Sequence, residues 1–447
     1  MSEAAVSPLA PPLSICLRQT DIVRGPNAST DTMRYETTIA KSLLSKAQFG
    51  DCWFHVNRSL NAYRGCEFGC VYCDGMSEDY HIEDFHTCIR AKVNAPAVLE
   101  RELSAAGLPR FSQLRDESLL SFLGESIEDT LRSRRGLVIG VSGGVSDAYQ
   151  PAEAKFGITR DLLEVLLDFR LPVFVLTKST LVLRDLDLLK EIHRESFANV
   201  CFTITLYDED TKRVFEPKSP ATWERFEALK EIRKNGLHGG VIAIPTIPVI
   251  GTTDDNMRAL IRETKRAGGE FIQFGGLTLK PGRQKAYFMR VIRSRFPDLE
   301  NVLARIYQNN DRFGRPIRSE LPVDVLIRAH QLCGEEGVRD RTIRHRPPWE
   351  SRFNHSVLQA LLDLVFVRYY VLHEPWHHIQ PLNALVALIE RGVEDLSDLS
   401  VRAALSQQVG LSQFDAELLE RVVAGGAEKV IEGFWESAGA DHGARKQ

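Results

Sequence analysis

A chain of 447 residues with 43% apolar content has room for two or three domains, or for one large α/β barrel with an extension. Its formal charge of −4 gives no global attraction to nucleic acid or an anionic membrane, although a local basic patch is compatible with it. No basic-then-apolar leader opens the sequence, and no apolar run reaches the roughly 20 residues that cross a bilayer; the longest, "VLQALLDLVFVRYYVL", is broken by Asp363 and Arg368.

Residues 1 to about 35 are rich in Pro, Ser, Ala and Thr and lack periodicity, so a disordered or loose arm is expected there. Then "AYRGCEFGCVYCDG" (62–75) places three of the eight cysteines close together, as Cys66-x3-Cys70-x2-Cys73. The other five, Cys16, Cys52, Cys88, Cys201 and Cys333, are isolated. They imply no disulfide framework and point to a reducing, cytoplasmic compartment.

From about 137 a rhythm sets in. "GLVIGVS" (136–142), "PVFVLTK" (172–178), "NVCFTITL" (199–206), "GGVIAIPTI" (239–247) and "EFIQFGGL" (270–277) are each followed by an amphipathic stretch such as "TRDLLEVLLDFR" or "PATWERFEALKEIRKNG". Apolar runs of this length suit parallel strands buried on both faces. With a further strand around "FHVNRSLN" (54–61), they make six units of a partial parallel (β/α)6 TIM-like barrel over residues 36–290. An open doubly wound sheet is the rival, but no GxGxxG follows the first strand. In a barrel the chemistry sits on loops after the strands, where the cysteine loop, "SGGVSDAYQ", "TKS" and "TLYDED" all fall. Residues 291–447 read as an all-α C-terminal region, with helical period in "SVLQALLDLVFVRYYVL" and "DAELLERVVAGGAEKVIEGFWE".

Three thiols are one too few for a structural zinc site, unless His81 or His86 completes it. They suit a 4Fe–4S cluster that leaves one iron without a protein ligand, open to a small molecule. Gly65 and Gly69 let the backbone wrap closely. Unligated structural cysteines are the third possibility.

C-x3-C-x-(aromatic)-C, with Tyr72 as the aromatic, resembles the signature of radical S-adenosylmethionine (SAM) enzymes. "YETTIAKSLLSK", "NAYRGCEFGCVYC", "SDAYQPAE", "VLTKSTLVLRDLDLL" and "FEPKSPATWERFEALKEI" narrow the resemblance to the spore photoproduct lyase-like branch, over roughly residues 35 to 285. The resemblance implies that Cys66, Cys70 and Cys73 hold a 4Fe–4S cluster. It implies that SAM chelates the open iron and is cleaved reductively to a 5′-deoxyadenosyl radical, which takes hydrogen from a substrate. It also implies an electron donor such as flavodoxin or ferredoxin and a lyase-like or other reaction; no membrane is expected, because no apolar run is long enough to cross one.

Further SAM contacts follow from position. Ser142, Gly143 and Gly144 stand where the family places a glycine-rich segment near the methionyl amino group; a plain tight turn is the alternative. Lys178 ends a strand where a lysine pairs with the methionyl carboxylate, or else is solvated. Thr203 and Thr205 share one side of a strand, where one could reach the ribose. Tyr149 and Gln150 either touch substrate or brace the loop. The family's repair enzyme, as aligned, has a cysteine three residues before an aspartate in this loop. Here that position is Gly144, before Asp147.

Two other motifs carry less. "HEPWH" (His373 to His377) matches a zincin pattern that works only on a continuous helix, and Pro375 interrupts it. Residues 280–347 hold 15 Lys+Arg against 8 Asp+Glu, with aromatic residues interleaved. That stretch is either a contact for a phosphate-bearing or nucleic-acid substrate or a solvated helical face. A non-catalytic nucleic-acid-binding or structural protein, with a metal that only stabilises the fold, is the rival to a SAM enzyme. The substrate itself is not identified, and no cysteine-rich C-terminal block points to peptide maturation.

Overall fold

A computed structural model describes residues 33–108, 110–114, 137–142, 145–316, 321, 324–392 and 395–445. The strands in chain order are β1 (Arg34–Thr38), β2 (Arg58–Leu60), β3 (Tyr63–Arg64), β4 (Cys88–Lys92), β5 (Ile139–Val141), β6 (Val173–Thr177), β7 (Ala198–Thr203), β8 (His238–Thr246) and β9 (Ile272–Gly276). Six of them form one sheet in the order β2-β5-β6-β7-β8-β9, every neighbouring pair parallel. This is the α/β arrangement expected from the apolar runs, a partial barrel whose edge strands β2 and β9 do not pair among the described residues.

The two-residue period of a strand separates two cores. Val173, Val175, Val200, Phe202, Val241 and Ala243 pack outward under the helices. Phe174, Cys201, Ile242 and Phe271 pack inward. Helices Ile158–Asp168, Leu186–Glu195, Thr222–Lys234 and Asp254–Arg266 return the chain between successive strands. Gly240 lets β8 lie close to β9: a Cβ there would stand 2.5 Å from the Phe271 carbonyl oxygen.

The strand expected at 54–61 shortens to Arg58–Leu60. The Asp51 carboxylate gathers the N–H groups of Trp53 (3.0 Å), Phe54 (3.3 Å) and Val56 (3.0 Å), which holds the preceding residues in a turn. A second, smaller sheet pairs β1 with β4 in parallel and β3 with β4 antiparallel. Arg34 and Tyr35, within the expected arm 1–35, belong to β1; residues 1–32, including Cys16, lie outside the described residues.

The division at 290/291 falls inside helix Arg283–Arg295. Phe296, Leu303, Ile306 and Tyr307 beyond it pack with the cysteine loop. The C-terminal helices have a core of their own, including Leu358, Leu361, Leu382, Val386, Leu418 and Trp435. Trp53 enters it edge-on, 5.0 Å from both Phe366 and Tyr370. The segment 339–345 crosses the end of the sheet where the strands begin. Its Thr342 accepts a hydrogen bond from Asn199 Nδ2 (3.2 Å) and donates its N–H to Gln273 Oε1 (3.2 Å). Segment 339–345 therefore floors the barrel, whereas residues 296–307 lie at the side of the cysteine loop. Pro375 caps helix Trp376–Arg391 and leaves His373 outside it at φ 56°, so the two histidines of "HEPWH" do not share a helix face. Among the described residues no helix is long and apolar enough to cross a membrane.

Candidate active site

The cysteine loop leaves β3 at Gly65, where φ is +86° and a Cβ would stand 2.5 Å from the Cys88 carbonyl oxygen. Only glycine fits that turn. The wholly buried Gln150 braces it, donating from Nε2 to the Gly65 carbonyl (3.1 Å) and accepting the Glu67 N–H (3.0 Å). Ser146 Oγ donates to the same carbonyl (2.7 Å). The Glu67 carboxylate takes the Ala152 N–H (2.6 Å) and the Tyr35 hydroxyl (2.9 Å). So of the two roles open for Gln150, the structure gives it the bracing one. Tyr149, also wholly buried, lies beside Asp185, away from any exposed mouth.

Cys66 and Cys70 are buried and Cys73 is partly open. Burial pushes each thiol up to about 12, with Asp147 and Cys73 acting on Cys66, and Lys178 opposing the rise at Cys70 and Cys73. Ionising three such thiols side by side needs compensating positive charge, which bound iron supplies. Among the described residues no three His, Cys, Asp or Glu side chains converge as a single ion requires. The proposed zinc ligands do not assist: His86 Nδ1 donates to the Cys66 carbonyl (2.9 Å), and His81 is exposed. Three soft donors on one glycine-turned loop, without a fourth, fit a cluster with an open iron.

Opposite the loop stands Lys178, at the end of β6. Burial alone would lower its pKa, but Cys70, Glu216 and Asp147 outweigh burial and hold it above the ordinary lysine value. Asp147 fixes its backbone, accepting the Lys178 N–H (2.8 Å) and the Thr177 hydroxyl (2.6 Å). Among the described residues Lys178 Nζ forms no ion pair, and it lies 5.8 Å from the centre of the Tyr72 ring. Tyr72 is buried, with its hydroxyl donating to Glu216. Thr205 Oγ1 also donates to Glu216 (3.0 Å), and the Thr203 carbonyl accepts from Arg225 Nη1 (2.7 Å). Thr203 ends β7, and Thr205 lies just beyond it. Ser142 holds φ 91°, which side chains rarely adopt, and its Oγ donates to the Ser146 carbonyl (2.8 Å). Gly143 and Gly144 lie outside the described residues.

Glu216 and Arg225 were not among the sequence candidates. Both are wholly buried and 2.8 Å apart. Burial would raise the Glu216 carboxyl, but Arg225, Lys178 and the Tyr72 hydroxyl hold it down at about 2. Both residues lie in "FEPKSPATWERFEALKEI", so the segment was visible but not the roles.

Much of the basic excess of 280–347 is internally paired. Arg293 meets Glu300 (2.7 Å), Arg344 meets Glu350 (2.7 Å), Arg328 meets Asp254, and Lys280 meets Asp74 and Asp79 (3.3 Å each). The buried Arg341 donates to the Cys52 carbonyl. Arg312 and Arg315 flank the exposed Phe313 ring at 4.5 and 5.0 Å.

Residues 60–264 match the family model of the Radical SAM superfamily. An uncharacterized protein of Mycobacterium tuberculosis is 25% identical over 355 residues, covering 77% of this chain and 93% of its own. One of Methanocaldococcus jannaschii is 28% identical over 247 residues, 55% of this chain and 78% of its own. Among solved structures, a spore photoproduct lyase mutant with bound AdoMet and dinucleoside spore photoproduct is 16% identical over 59% of this chain, with a TM-score of 0.38. A cobalamin-dependent S-adenosylmethionine radical enzyme, OxsB, is 12% identical over 86% of this chain, with a TM-score of 0.31. The similarity spans 66% of the lyase chain, just under two thirds, and 55% of the OxsB chain.

Proposed function

We propose that this chain is a radical SAM enzyme in which Cys66, Cys70 and Cys73 hold a 4Fe–4S cluster beside a SAM site bounded by Tyr72, Ser142 and Lys178, a reading that the match of residues 60–264 to the Radical SAM superfamily supports. When bound, the cluster supplies the electron that cleaves SAM to a 5′-deoxyadenosyl radical, which abstracts hydrogen from the substrate.

The chain's own residues do the rest. Gln150, Ser146 and Glu67 hold the loop rigid, so that the three thiols keep their spacing. Lys178 presents an unpaired ammonium to the methionyl carboxylate. Ser142, followed in the sequence by Gly143 and Gly144, is assigned to the amino group, and Thr203 and Thr205 at the end of β7 to the ribose. Leu206, Phe215, Ile247 and Leu277 surround the loop and exclude water. The electron comes from a small reduced carrier of the flavodoxin or ferredoxin kind, in a reducing compartment such as the cytoplasm. The substrate stays open; Arg312, Phe313 and Arg315 offer an anionic one a place to rest.

The observation that carries this reading is the placement of Lys178 opposite a three-cysteine loop with no fourth ligand. Protein purified without oxygen should be brown and contain about four irons per chain. With dithionite and SAM it should release 5′-deoxyadenosine. Colourless protein with stoichiometric zinc would overturn the reading.

A further inference from the structure

Glu216 reaches three elements at once. Its Oε1 accepts the Tyr72 hydroxyl, from the cysteine loop, and Thr205 Oγ1 (3.0 Å), from the β7 exit. Its Oε2 accepts Arg225 Nη1 (2.8 Å), from helix Thr222–Lys234, and Ser219 Oγ (3.1 Å). The same Arg225 nitrogen holds the last carbonyl of β7, at Thr203. One residue earlier, the Phe215 carbonyl takes the Val71 N–H (2.8 Å) from the cysteine loop.

A buried carboxylate needs one cation and hydrogen bonds, and Arg225 with the two small hydroxyls meets that need. The Tyr72 hydroxyl is additional to it. A phenylalanine would fill the same place in the apolar cluster that also holds Val71, Leu206, Phe215 and Phe288. The hydroxyl therefore serves the link to Glu216 more than the packing. The Tyr72 ring in turn faces Lys178, whose Nζ lies 5.8 Å from the ring centre. Glu216, bonded to the hydroxyl of that ring, attracts the ammonium, while Arg225 repels it.

We infer that Glu216 is a positioning residue: through the Tyr72 hydroxyl it fixes the cysteine loop at a set distance from Lys178, and so shapes the site that takes SAM. The inference rests on the reading above that this pocket takes SAM. It concerns no contact between Glu216 and SAM itself.

The test uses the full chain, reconstituted without oxygen, as wild type, Tyr72→Phe and Glu216→Gln. Iron content, SAM affinity by equilibrium dialysis, and the electron paramagnetic resonance spectrum of the reduced protein with and without SAM are measured. Tyr72→Phe keeps the Glu216–Arg225 pair, so it folds even where Glu216→Gln does not. The expected result is full iron content in Tyr72→Phe, with SAM bound roughly ten- to hundredfold more weakly, the scale of one hydrogen bond to a charged group. The spectral change that SAM induces should need correspondingly more SAM. Wild-type protein that binds SAM while Tyr72→Phe binds it equally well overturns this inference alone. Wild-type protein that holds iron but does not bind SAM overturns the reading of the pocket, and this inference with it.

Discussion

Lys178 Nζ lies 5.8 Å from the centre of the Tyr72 ring, so the end of β6 and the cysteine loop face each other across one pocket. The two residues are far apart in sequence and share no hydrogen bond; the parallel sheet brings them together. If Lys178 pairs with the methionyl carboxylate, Lys178→Ala should weaken SAM binding by roughly 1.5–3 kcal/mol, the scale of a charge-assisted hydrogen bond. Iron content should stay unchanged. A dissociation constant equal to that of the wild type would assign Lys178 to another role.

The three loop cysteines should each be indispensable. Cys66→Ala, Cys70→Ala or Cys73→Ala should abolish iron retention and reductive cleavage of SAM. Cys88, Cys201 and Cys333 are wholly buried in β4, in β7 and in helix Val325–Glu336. Their replacement by alanine should cost stability only and leave iron content intact. Iron assay and 5′-deoxyadenosine chromatography decide the matter, and full cleavage by Cys70→Ala would remove the central assignment.

The chain should not repair the thymine photodimer known as spore photoproduct. On the alignment read from the sequence, Gly144 stands where the repair enzyme has a cysteine, which that alignment takes as the hydrogen donor, and glycine has no side chain to give one. Neither nearby substitute is placed to act. Cys88 is sealed within β4, and the Tyr149 ring is wholly buried beside Asp185. Reduced, reconstituted enzyme incubated with the dinucleotide photoproduct and SAM should yield no repeated turnover to thymine; clean multiple turnover would show that the cysteine is dispensable.

Acid should loosen the floor of the barrel. His345 lies 5.0 Å from the Phe197 ring, and burial, reinforced by Arg344, holds its imidazole at about 3, well below its usual 6.5. The unfolded chain takes up a proton near 6.5 that the folded chain refuses until about 3. Stability from this group is therefore complete above 6.5 and is lost as pH falls through that window, at up to about 1.4 kcal/mol per pH unit. His55, buried and neutral nearby, adds in the same direction. His345→Phe should flatten the fall of the urea midpoint between pH 6.5 and 5; an unchanged slope would mean that His345 is not sealed from water.

The six parallel strands were legible because burial on both faces leaves unbroken apolar runs. The small sheet was not: β1 reads "RYETT" and is mostly exposed, so nothing apolar marks it. The cysteine loop declared itself through spacing, and Lys178 through its place at a strand end. Glu216 and Arg225 did not, because a lone acid and a lone base in a polar segment look solvated. Only the fold carries Glu216 to Tyr72, 144 positions away. Charge along 280–347 was readable from composition, but its pairing was not, since partners such as Asp254 and Asp74 lie outside that stretch.

The bridge from Asn199 through Thr342 to Gln273 has a bearing on traffic. With that end closed by 339–345 and Trp53, and the inward face filled by Phe174, Cys201, Ile242 and Phe271, the sheet is sealed where its strands begin. A substrate for the site proposed above would have to come and go by the opposite rim. The segment that never meets the cysteines would thus decide the side from which they are reached.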